Sequence, residues 1–130
     1  MVYLYTDYFY VEYYATTGVL MSQWHGKCSS LQYRQSLIQY LRICKDLNLR
    51  LAVTDRRLQQ ALTAEDMEWM QTHFINAFIN LPLERLAIIR SFDPVAESQF
   101  QQLYQNNGHP FPFESRSFED LTSAYNWITA

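Results

Sequence analysis

Cys28 and Arg34 stand at the C-x5-R spacing with which a phosphatase loop sets a thiolate and a guanidinium on one phosphate. His25, Lys27 and an oncoming helix N-terminus would each lower the thiol pKa, the direction a nucleophile needs. The intervening residues 29–33 contain no glycine, however, and a cradle of converging backbone N–H groups needs residues that tolerate left-handed conformations. They read instead as the opening of a helix, so the match lacks its structural context. His25-x2-Cys28, with His73 or Asp55 from elsewhere, is the nearest approach to a metal site. Structural zinc takes four ligands, usually in two close-spaced pairs, and here there is one weak pair. No metal and no cofactor are expected, and His109, before Pro110 in a polar turn, reads as solvated.

Three further groups could bind or react. Asp55, at the carboxyl end of a short apolar strand, could act as a general base or ligand group, with Arg56 and Arg57 as anion binders. The plainer reading has Asp55 capping its own loop and the arginines in water. Trp69 and His73 lie one helical turn apart, beside the core stripe of their helix; they would line a pocket or partner surface, unless Trp69 is simply half-buried. Tyr8, Tyr10 and Tyr14, with Glu12, would share one strand face that offers apolar area and hydroxyls to satisfy.

The elements that must position these residues follow from periodicity and caps. Val2–Tyr5 reads as a leading strand, and residues 8–14 and Val19–Trp24 as a hairpin closed by Gly26. Ser29 with Gln32 forms a capping box for a first helix whose stripe is Tyr33, Leu37, Tyr40, Leu41, Cys44 and Leu47, ended by Asn48 in a left-handed conformation. Residues 51–53 form the central strand, and the polar stretch after it opens on Asp55. Thr63, with Asp66, starts a second helix carrying Met67, Met70, Phe74, Ala77 and Phe78 inward and Asp66, Trp69, His73 and Asn76 on an adjacent face. Arg85–Ile89 reads as a strand, apolar without a break after Arg85, the mark of burial on both sides. Asp93 and Pro94 open a third helix, with Phe100, Leu103 and Tyr104 inward and a stop at Asn107 and Gly108. Residues 110–114 can be only an edge strand, because two prolines remove donors. Ser117 with Asp120 caps a last helix whose Phe118, Leu121, Tyr125 and Ile128 face in.

The length of 130 residues fits one domain, residues 1–130, and 48% hydrophobic against 18% charged residues requires a packed globule. A net charge of −3 leaves no footprint for a phosphate backbone, which argues against nucleic acid. No apolar run approaches the roughly 18 residues of a membrane span, and the first residues lack a basic leader region, so a cytoplasmic protein is expected. A helical rise of ~1.5 Å per residue separates Cys28 from Cys44 by far more than the ~7 Å a disulfide allows. Both should be free thiols, Cys44 in the core. Strands alternating with helices must run parallel through right-handed crossovers, so the fold class is α/β: an N-terminal β-hairpin followed by successive right-handed βα units in a mostly parallel sheet.

This layout resembles the SpoIIAA-like (STAS-like) superfamily across nearly the whole chain. W-x-G at Trp24 and Gly26, D-R at Asp55 and Arg56, E-D-x-E-W from Glu65 to Trp69, and S-x-E-D…W-I from Ser117 to Ile128 carry the resemblance. They are closer to small uncharacterised bacterial proteins of that group than to its anti-sigma-factor antagonists. The resemblance implies helices on one side of the sheet, and a serine or threonine after the central strand that accepts a switching phosphate. Thr63 is the only residue that can be carried over, because residues 61–66, ALTAED, lack the paired hydroxyls and glycine of that motif. A phosphate there would gain from the helix N-terminus and be repelled by Glu65 and Asp66. With helices on one side, the Tyr8, Tyr10 and Tyr14 face needs a cover, supplied by a homodimer, a protein partner or the chain's own helices.

The expectation is therefore a non-enzymatic STAS-like interaction or regulatory module, presenting Asp55, Arg56 and Thr63 and the helix start between strand and helix. The alternative is a small-molecule or lipid-type binding protein with a pocket of roughly 300 Å³ or more beside Asp55, Trp69 and His73. No nucleophile and base can be paired from spacing, so an enzyme is not expected.

Overall fold

The computed structural model describes residues 1–106 and 111–130, without the side chains of 104–106. Expectations placed on the Tyr104 side chain and on Asn107, Gly108, His109 and Pro110 lie outside the described residues. Strands β1 (Val2–Tyr5), β2 (Phe9–Tyr14) and β3 (Val19–Trp24) lead into α1 (Ser30–Asp46) and β4 (Leu51–Asp55). One continuous helical rod follows: α2 (Ala64–Trp69), a π-helical turn (Met70–Phe74) and α3 (Ile75–Phe78). Then come β5 (Arg85–Ile89), α4 (Pro94–Asn106), β6 (Glu114–Phe118) and α5 (Leu121–Ile128).

The helix starts follow their caps. Ser29 Oγ accepts from Gln32 N while Ser29 N donates to Gln32 Oε1, Thr63 Oγ1 accepts from Asp66 N, and Asp93 Oδ1 accepts from Val95 N. Asn48, at φ 49°, turns the chain out of α1 in the left-handed region that its short amide tolerates.

The six strands lie in the sheet in chain order; β1, β2 and β3 are antiparallel, and β3 to β6 parallel. Right-handed crossovers between strands added in a single direction put every connecting helix on one face. There Phe9, Val11, Leu20, Trp24, Tyr40, Phe74 and Phe78 form the main core. The helix after β6, α5, lies on the other face. It lays Ala124 and Ile128 over Val19, Met21, Val53, Ala87 and Ile89, so the chain itself covers the sheet face that one-sided packing would have left bare.

Several local expectations are corrected. The strand expected over residues 110–114 lies at Glu114–Phe118. Phe111 and Phe113 stack on each other at 5.2 Å and turn their edges to Phe78, closing the main core from a segment that Pro112 keeps out of a ladder. Phe118 therefore ends a strand instead of facing inward from a helix, and Asp120 caps α5, its carboxylate accepting from Ser123 N at 2.7 Å. The π-helical turn adds a residue to the winding, so Ile75 is buried and Ala77 is only half-buried. Tyr8 precedes β2 and packs against the main core, on the opposite side from Tyr10 and Tyr14. Alternation from Phe9 onward decides the faces of this strand, and Tyr8 stands outside that register.

Candidate functional site

The carboxyl ends of β4 and β5 emerge side by side, where open α/β sheets commonly carry their sites. Asp55 is the last residue of β4, 1% exposed. Its register partner in β3, Gln23, donates to Oδ2 at 2.9 Å; Arg57 donates from its backbone N and Nε to Oδ1 and from Nη2 to Oδ2 at 2.7 Å. With its oxygens so engaged, this carboxylate pins two strands and the following turn. It offers no free lone pair to a substrate proton.

Arg56 points to the other face, and it is not in water. It is 6% exposed, bonded through Nε to Gln59 Oε1 at 2.8 Å, through Nη1 to Glu97, and through Nη2 to Ala96 O at 3.1 Å, with its guanidinium 4.4 Å from the Phe100 ring centre. Glu97 also accepts from Ser91 N, Ser91 Oγ donates to Gln59 O, and Phe92 N donates to Arg57 O. Arg56, Gln59, Ser91 and Glu97 thus lock the loop after β4 to the loop after β5. Outward from this lock stand Leu58, Phe92 and Val95, which are 50%, 71% and 57% exposed. Sequence reasoning passed over all three. A signal was present in Phe92, a large apolar residue placed directly before the Asp93-Pro94 helix start and outside any strand pattern.

A second cluster joins α1 to α2. Asp66 is 4% exposed, accepting from Ser30 Oγ at 2.7 Å and from Arg34 Nε at 2.9 Å. Arg34 in turn lies 5.6 Å from the Trp69 ring centre, and Trp69 faces the exposed His73 at 5.7 Å. Asp66 was expected on a side face; it is drawn inward because α1 supplies two donors for it. Thr63 is exposed and serves as the helix cap. Thr63→Ala is expected to cost about 1 kcal/mol and Thr63→Ser only a few tenths, read from urea midpoints.

Cys28 borders this cluster, and burial, followed by the nearby Asp66 carboxylate, pushes its thiol pKa up. That is the reverse of what a phosphatase nucleophile needs, and Arg34 is already engaged by Asp66. Among the described residues there is no group of His, Cys, Asp and Glu side chains able to hold a metal ion.

The three residues expected around one pocket do not meet. Asp55 shares its side of the sheet with Gln23 and Arg57, whereas Trp69 packs against the main core from α2. On the helix side, a cavity of about 80 Å³ lies inside the main core, and one of about 160 Å³ runs beside it past Cys28, Thr63 and Asp66. Both fall short of the roughly 300 Å³ of a drug-sized cleft, and neither is bounded by Trp69.

Tyr10 and Tyr14 donate to Glu12 Oε1 at 2.8 and 3.1 Å, and Tyr14 meets Tyr125 of α5 edge-on at 6.0 Å. The Glu12 hydrogen bond, aided by burial, pushes Tyr10 up to about 12, and burial pushes Cys44 up to about 12. Tyr33 and Tyr40 are raised as well, by burial first. In each case the folded state holds a proton that the unfolded state releases near pH 9 for cysteine and 10 for tyrosine. Their stabilising contribution is therefore complete below about pH 9 and declines as pH rises toward 12. Urea midpoints should be level across pH 7 to 8 as far as these groups are concerned, then fall steadily above 9. A midpoint that held to pH 11 would contradict this.

None of the protein-family models, curated proteins or solved structures compared with this chain matches it.

Proposed function

We propose that the chain is a non-enzymatic regulatory module of STAS-like layout that docks a protein partner on the carboxyl edge of its parallel strands. The observation that carries this reading is the exposure of Leu58 and Phe92 on two loops, and of Val95 in the first turn of α4, all stiffened from beneath by Arg56 and Glu97. Large apolar side chains held on an immobilised scaffold lose little conformational freedom on binding, and that favours a contact surface. The paired state of Asp55, Arg56 and Asp66 supports the non-enzymatic part, because each charge is engaged within the fold. Thr63 stands on the same edge, at the start of α2.

A photo-crosslinking amino acid placed at Phe92, in cells that naturally produce the chain, tests the proposal against the same substitution at exposed Ile38 on α1. Position 92 should give one discrete heavier adduct that Leu58→Ser removes, and position 38 should not give it. Phe92→Ser should leave the unfolding free energy within about 0.5 kcal/mol of the unsubstituted protein, since the ring is in solvent. Absence of any adduct from position 92, or the same adducts from both positions, would defeat the reading.

A further inference from the structure

The cavity of about 80 Å³ in the main core lies between the sheet, α1 and the π-helical turn. Its walls are mostly apolar, with Phe9, Leu37, Phe74, Phe78 and Ile88 among them. Protein interiors close to near-crystalline density and leave few voids larger than a water. This one is several times the roughly 10–15 Å³ that a single water needs. The π-helical turn supplies Met70 and Phe74 to its wall. By adding a residue to the winding it breaks the regular stripe, and the rings of Phe74 and Phe78 stand 6.4 Å from Tyr40, tilted at 42° and 31°. Such turns recur at functional sites because they re-aim side chains in an otherwise regular helix.

One polar group in this wall is unexplained. Tyr40 is 3% exposed, and its hydroxyl has no hydrogen-bond partner among the described residues. Ser22, Thr54 and Cys44 are the polar side chains that surround it. Buried hydroxyls are nearly always satisfied, so an orphan in a cavity wall marks the place of a missing partner. The charge at the cavity's edge, Arg56, is already matched by Glu97, so the space favours a neutral guest.

We infer that this cavity is a binding site for a small neutral molecule, a single aromatic ring or short apolar chain with one hydrogen-bonding oxygen, which Tyr40 recognises through its hydroxyl. The site is separate from the exposed docking edge, and neither reading depends on the other. An acyl chain of membrane length exceeds the space available.

The test uses the whole chain and the shape-matched pair p-cresol and toluene, titrated by NMR and calorimetry against the unsubstituted protein and Tyr40→Phe. That substitution removes only the unpartnered hydroxyl, so the fold is retained. Saturable shifts should appear at Phe74 and Phe78, and the preference for p-cresol over toluene should fall about tenfold in Tyr40→Phe, where the guest hydroxyl loses its partner. Absence of saturable binding by either compound overturns the inference. So does a p-cresol preference that is the same in both proteins.

Discussion

Replacing Arg56 with alanine is expected to lower the free energy of unfolding by about 3–5 kcal/mol, the range for breaking a buried ion pair by removing one partner. The loss does not come from the attraction alone. Glu97, whose side chain is only 20% exposed, would keep its charge with a single backbone donor from Ser91 left to it, and Gln59 Oε1 and Ala96 O would lose their donors inside the fold. The same change should loosen both carboxyl-edge loops, so amide exchange at residues 57–60 and 91–93 should quicken before the rest of the sheet opens. The double variant Arg56→Met with Glu97→Gln removes the stranded charge and restores apolar volume beside Phe100. It should recover more than half of the loss. If Arg56→Ala cost under about 1 kcal/mol, the lock would not be what holds the loops.

Trp24→Ala should be as damaging, about 3–5 kcal/mol by urea denaturation, within the range for deleting a large buried aromatic side chain. Trp24 is 5% exposed, stacks on Phe9 at 4.1 Å and sits 5.2 Å from Tyr33, so it ties β3 to β2 and to α1 at once. Because it also lines the cavity beside Tyr40, its removal enlarges that space. Toluene should then restore part of the lost stability, raising the urea midpoint of Trp24→Ala by more than that of the unsubstituted protein. Equal shifts in the two proteins would place the binding elsewhere.

What the sequence made legible was what is decided locally. Ser29 with Gln32, Thr63 with Asp66 N, and Asp93 with Val95 N are contacts three residues apart or fewer, and each stands where spacing placed it. The strand Arg85–Ile89, apolar and buried from Leu86 onward, is another such case. Choices made by distant partners were not legible. The burial of Asp66 depends on Ser30 and Arg34, and that of Arg56 on Glu97, more than thirty residues away in each case. The side taken by α5 depends on the apolar face that Val19, Met21, Val53, Ala87 and Ile89 assemble from three strands, and the burial of Ile75 on a single π-helical turn that leaves no mark in hydrophobic spacing. For the same reason the candidate site was half legible. The loop after β4 was marked by Asp55 and Arg56, but its companion after β5, with Phe92 and the α4 start at Val95 beside it, appears only when both loops reach the same edge.

The strands stand in the sheet in the order in which they are synthesised. Each therefore adds beside its immediate predecessor, and none has to be inserted between neighbours that have already paired. A ribosome releasing this chain could build the sheet from one edge outward, with β1, β2 and β3 joined before β4 is made and α5 applied last as the second lid. Such vectorial growth exposes one growing edge at a time, which leaves little opportunity for mispairing.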